Sequence, residues 1–184
     1  DGVRLNLKFT SALIPDDLYH LSRPISYLEV TKESVDGKKH TVSLRLSVSE
    51  QICMDRKGDD DVTVERYNFG KLSSIRMGRK DQKMIERSGD DLRIEWGYFY
   101  LTGEGETFCI KDANGMNFVG IEAPIGKTAL FTFAYDDIKS IEYFHKHLTS
   151  YWNRNGESIT DEIAKAHADY KTVSRRCTEI ADKM

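Results

Sequence analysis

Residues 128–152, TALFTFAYDDIKSIEYFHKHLTSYW, hold the change of period on which the fold turns. As far as Tyr135 the apolar side chains alternate, with Phe131, Phe133 and Tyr135 on one face, the period of a half-buried strand. Beyond it Ile138, Ile141, Phe144, Leu148, Tyr151 and Trp152 recur at helical steps, and Asp136 or Asp137 can serve as N-cap. That pattern predicts a helix. Asn155-Gly156 ends it, and Ser158 opens a longer one with Asp161 in a capping-box-like position. The second helix carries Ile159, Ile163, Ala166, Tyr170, Val173, Cys177 and Ile180 on one stripe, which must bury against something. Packing on the strands is the expected solution, since the pattern is too short for a sustained coiled coil.

Upstream of residue 128 the two-residue period dominates. Val3, Leu5, Leu7 and Phe9 oppose Arg4, Asn6, Lys8 and Thr10, so the first four are expected to face a core. Further runs cover 25–35 and 41–49, where Val42, Leu44, Leu46 and Val48 form the apolar face, then 62–69, 73–78, 92–101, 108–111 and 117–122. Asp36-Gly37 and Asp112-Ala113-Asn114-Gly115 read as hairpin turns, because Gly, Asn and Asp tolerate the positive φ that such turns need. Gly103-Glu104-Gly105-Glu106 reads as a third hairpin tip. Short strands with turn signals and no helical crossovers imply a mainly β protein, an antiparallel β-sandwich followed by two C-terminal helices.

Composition excludes several classes. The chain has 184 residues, 39% hydrophobic and 31% charged, enough for a core, and no apolar run approaches the roughly 20 residues of a membrane span. Its 27 basic and 30 acidic residues are interspersed, which argues against a nucleic-acid partner. Cys53, Cys109 and Cys177 lack any CxxC spacing and read as free buried thiols. The chain opens at Asp1-Gly2 without an initiator Met and stops at Met184 inside a helical pattern, so both ends are expected to be cuts in a longer protein.

Candidate chemistry is sparse. Asp16-Asp17, Asp90-Asp91 and Asp136-Asp137 are acid pairs, but neighbours on an extended chain point apart, and turn or helix-cap roles fit them. The histidines form no HExxH pattern, so no metal site is expected, and no GxSxG elbow marks a nucleophile. The aromatic run Trp96, Tyr98, Phe99, Tyr100 offers either core or a sugar or partner platform. In a strand, Trp96, Tyr98 and Tyr100 share one side.

Leu13-Ile14-Pro15-Asp16-Asp17-Leu18, Leu21-Ser22-Arg23-Pro24-Ile25-Ser26-Tyr27, Asp36-Gly37-Lys38 and Gly89-Asp90-Asp91-Leu92-Arg93-Ile94-Glu95-Trp96-Gly97-Tyr98, in that order, resemble the glutaminase A family of fungi and bacteria. Leu130-Phe131-Thr132-Phe133-Ala134-Tyr135-Asp136-Asp137-Ile138 and Ser140-Ile141-Glu142-Tyr143-Phe144 continue the likeness, which runs to Cys177. The resemblance implies a supersandwich-like domain over residues 1–137 and a helical segment over 138–184. The latter would lead to a catalytic domain of the six-helical-hairpin type. It also implies an extracellular or periplasmic parent that hydrolyses L-glutamine to glutamate and ammonia. The expected partner is that C-terminal catalytic domain, with a small-molecule substrate or glycan at the boundary. No cofactor is implied, and no catalytic residue can be carried over to this segment.

Arg23, Asp91, Trp96 and Tyr98 are the candidates for docking or a substrate edge, since Arg makes bidentate pairs and aromatics supply rigid contact area. For each, an internal salt bridge or core packing is the competing role. The alternative function is a carbohydrate-binding or glycoside-hydrolase-associated sandwich, because fold does not settle function. A free-standing interaction module is a third.

Overall fold

The computed structural model describes residues 2–55, 62–86, 89–90 and 93–184. Strands β1 (Val3–Ser11), β2 (Ile25–Ser34), β3 (Ser43–Ser49), β4 (Val62–Phe69), β5 (Leu72–Arg79), β6 (Tyr98–Gly103), β7 (Glu106–Lys111), β8 (Asn117–Pro124) and β9 (Thr128–Asp136) build two antiparallel sheets. The large sheet has the order β1-β2-β9-β6-β5-β4 and the small one β3-β8-β7. A short hairpin, β10 (Ile141–Tyr143) and β11 (Lys146–Leu148), follows, and helices α1 (Leu18–Ser22) and α2 (Ile159–Ala181) complete the chain.

Alternation explains the layering. Leu28, Val30, Ile75, Met77, Phe99, Leu101 and Phe131 from the large sheet meet Val119, Ile121 and Ala123 from the small one. Val42, Leu44, Leu46 and Val48 close over them, as do Phe133 and Tyr135. Full burial of side chains such as Phe131 is worth about 1.5–3 kcal/mol each. The opposite face of the large sheet carries Ile25, Tyr27, Tyr100 and Ala134, on which Ile159, Ile163, Ala166, Tyr170 and Val173 of α2 pack. The helix therefore forms a third layer. Ser158 caps it by accepting from Asp161 N at 3.1 Å.

Several expectations need correction. Residues after Tyr135 form the β10–β11 hairpin and a 3-10 turn at Tyr151–Asn153, not a continuous helix. Ile138, Phe144 and His145 have φ of 60°, 45° and 60°, which no α-helix accommodates. Asp136 and Asp137 hold a turn instead of a cap, Asp136 accepting from Ile138 N and Asp137 from the Ser140 hydroxyl.

Asp36-Gly37 and Gly103–Glu106 are not hairpin tips, since each connects a strand of the large sheet to one of the small sheet. Asp112–Gly115 does close a hairpin, between β7 and β8, with Asp112 accepting from Asn114 N and Met116 N. The strand expected from residue 92 begins at Tyr98. Cys109 is exposed, although Cys53 is buried; all three thiols are free.

The face of β1 is the most informative correction. Leu7 pairs with Val30 and Phe9 with Leu28, so they point to the side of the inter-sheet core. Yet Leu7 is 51% and Phe9 70% exposed. Among the described residues the small sheet has three strands, and none of them covers this edge of the large sheet.

Candidate functional site

The densest polar constellation joins α1 to α2. Arg23 is the C-cap of α1, its N–H on the Tyr19 carbonyl, and Pro24 separates it from β2. Its guanidinium is buried, donates to Asp169 through Nη1 and Nη2 at 2.9 and 3.1 Å, and reaches the Tyr27 hydroxyl at 2.6 Å. Such a bidentate geometry is the strong form of an ion pair. Glu162, fully buried, receives the Tyr19 hydroxyl and the Lys165 ammonium, the latter at 2.7 Å, and lies 3.9 Å from Arg23.

Asp17, the N-cap of α1, accepts from His20 N and sits 2.7 Å from His20 Nδ1. It also accepts from Arg176 Nη1 at 2.6 Å, while Arg176 Nη2 reaches Asp16. Burial pushes the Asp17 carboxyl upward, but the hydrogen bonds from Arg176 and His20 outweigh it and hold it at about 2. Tyr19, His20, Lys165, Ala168 and Asp169 line a 420 Å³ surface cleft over this network.

The helical partners were legible in principle. Glu162, Asp169 and Arg176 recur every seven residues, which places them on one face of α2 beside the apolar stripe.

Tyr98 belongs to a second group on the same sheet face. Arg76 lies 4.0 Å from its ring centroid and 5.8 Å from that of Tyr67, in cation–π geometry, and donates to Glu65, which also receives the Tyr67 hydroxyl. Tyr100 is buried and packs on Tyr67. Burial and the neighbouring Asp137 raise the Asp136 carboxyl, against the opposing pull of Ile138 N and Arg76.

Trp96 stands outside the strand. Its indole Nε1 donates to the Lys139 carbonyl at 3.1 Å and its own carbonyl accepts from the Tyr135 hydroxyl, so it anchors the base of the hairpin. Gly97 follows at φ +85°, where a Cβ would run into the Asp136 carbonyl oxygen. Asp91 lies outside the described residues.

Arg23, Trp96 and Tyr98 thus gather at one end of the large sheet: Tyr135 N donates to Pro24 O, and Tyr98 pairs with Asp136. Among the described residues no hydrogen bond or ring contact joins the three. A separate cleft of 740 Å³ lies between α2 and the strand ends, walled by Phe69, Leu72, Leu130 and His167. Burial lowers His167 to about 4, so its imidazole is neutral, 3.2 Å from Thr132 Oγ1. No group of three or more His, Cys, Asp or Glu side chains suited to a metal occurs among the described residues.

A mainly β module with a helix returned onto one sheet is the class that this architecture defines. The chain belongs to the family described as a domain of unknown function, DUF5127, whose model matches residues 1–118 and 113–184. It is also similar to a protein named Glutaminase A from Aspergillus oryzae (strain ATCC 42149 / RIB 40), 26% identical over 134 residues. That match covers 70% of this chain and 19% of the relative, so the chain spans about a fifth of the curated protein that it matches.

Proposed function

We propose that this chain is an accessory, non-catalytic β-sandwich module of a larger glutaminase-related hydrolase, one whose parent acts outside the cytoplasm on L-glutamine. The observation that carries the reading is the match of most of this chain to 19% of a glutaminase, a share that leaves room in such a protein for a separate catalytic region. The polar groups support it. Arg23, Asp169, Glu162 and Arg176 are spent on tying α2 to α1, and Trp96 on holding the hairpin base. The uncovered apolar edge at Leu7 and Phe9 fits a domain that seats against further protein.

The test is ammonia release from L-glutamine by the purified 184-residue chain. No turnover above the buffer rate is expected; turnover proportional to chain concentration and lost on unfolding would falsify the accessory role.

A further inference from the structure

The hairpin β10–β11 is two strands of three residues, all six exposed, with its fixed points at the base: Ser140 N on Leu148 O and Trp96 Nε1 on Lys139 O. A two-stranded hairpin without a covering layer is marginally stable in water. This one is amphipathic. Ile141 pairs with Leu148 and Tyr143 with Lys146 on one face, while Glu142 pairs with His147 on the other, where its carboxylate also lies 3.5 Å from His145 Nδ1. Among the described residues nothing covers the apolar face: Ile141 is 55% and Tyr143 62% exposed, and Phe144 at the tip 79%.

The tip itself departs from the chemistry that its geometry favours. Two-residue turns with positive φ at both central positions prefer Asn-Gly or Asp-Gly, yet here Phe144 and His145 occupy them at 45° and 60°. A bulky aromatic held in the left-handed region is strained. What the turn achieves is projection of Phe144, stacked edge-on with Tyr143 at 4.5 Å, away from the body of the protein.

From this we infer that the hairpin is a docking arm, whose Ile141, Tyr143, Phe144 and Leu148 face seats in an apolar groove on the region of the parent polypeptide that follows Met184. This rests on the reading of the chain as one module of a larger hydrolase. Two features select that occupant. The matched relative extends well beyond the aligned part, which is 19% of it, so a parent of that kind has a large covering body to offer. Residues 139–148 also carry Lys139 and Lys146 against the single acid Glu142, a net positive charge, whereas the whole chain carries a net charge of -3. The groove is therefore expected to be apolar at its floor and lined with carboxylates at its rim.

Hydrogen exchange across residues 141–148 tests this, measured in the 184-residue chain and in the longer natural polypeptide. The inference expects exchange slowed roughly tenfold or more in the longer protein, because a docked arm opens less often. A photo-crosslinker placed at Phe144 should capture a peptide from beyond Met184. Phe144→Gly separates docking from a purely local role: it relieves the positive φ, so the short chain melts no lower, while the longer protein loses the protection. Equal exchange in both proteins, or crosslinks only to a second copy, overturns the arm even where the longer protein hydrolyses glutamine and the module reading stands. A natural polypeptide that ends near Met184 overturns both.

Discussion

Arg23 and Asp169, 146 residues apart in the chain, meet through two N–H···O bonds of 2.9 and 3.1 Å that tie the end of α1 to the middle of α2. The pair sits at the seam between helix and sheet, with Tyr27 and Glu162 beside it. Its geometry makes α2 an integral layer of this domain, because a guanidinium buried there without its counter-charge is costly.

Asp169→Asn is expected to destabilise the chain by about 3 kcal/mol, the low end for a broken buried pair because Asp169 keeps some solvent contact. Arg23→Met should cost less, since an apolar side chain of similar length removes the charge that needs compensation. Urea unfolding of the two variants and the parent chain measures both; equal losses in the two would remove the argument from desolvation.

Gly97→Ala is expected to cost at least about 2 kcal/mol. Its φ of +85° disfavours any Cβ, and that Cβ would collide with backbone at Asp136, which cannot rotate away. Thermal unfolding reports the loss, and weakening of the Trp96 fluorescence environment at the hairpin base should accompany it.

Stability should fall on mild acidification because of His167. Its folded-state pKa of about 4 lies below the ordinary 6.5. The unfolded chain therefore binds a proton between these values that the folded chain refuses, so stability is complete above 6.5 and is lost as pH drops toward 4. The loss attributable to this group is about 2–3 kcal/mol. His167→Gln should flatten the profile in that window, as read by denaturant midpoints at pH 7 and pH 4.5. Asp17 acts in a lower window: held at about 2, it contributes stability above 3.8 that disappears as pH falls through 2.

Leu7→Ser and Phe9→Ser should change stability by no more than about 0.5 kcal/mol, as surface substitutions do. Both side chains point to the core side of the sheet and remain uncovered. A loss of several kcal/mol in the denaturation midpoint would mean that the edge is packed.

Alternation made most strands legible, because each covered face left its own period: Val42 to Val48 and Phe131 to Tyr135 lie where their spacing puts them. Alternation says which residues share a face and nothing about how far the opposing sheet extends, so it predicts a covered β1 where the structure leaves Leu7 and Phe9 exposed. The hairpin was lost for a geometric reason. Its two-residue turn sets Ile141 opposite Leu148, seven residues on, and two turns of a helix align the same spacing.

A turn signal fixes local φ and not the partner strand, so Asp112–Gly115 closes a hairpin whereas Asp36-Gly37 and Gly103–Glu106 link the two sheets. Of the candidate residues, Arg23 drew attention through its bidentate capacity, and its partner Asp169 was findable from the seven-residue charge repeat on α2. Arg76 under Tyr98 left no such trace, because the contact is made across strands.

The length of the natural polypeptide that carries this chain is the most direct measure of the account, read as the mass of the native protein detected with an antibody against the sandwich. A species several times heavier than 21.1 kDa, active on glutamine, is the predicted result. An intact native protein of about the mass of these residues alone would contradict it.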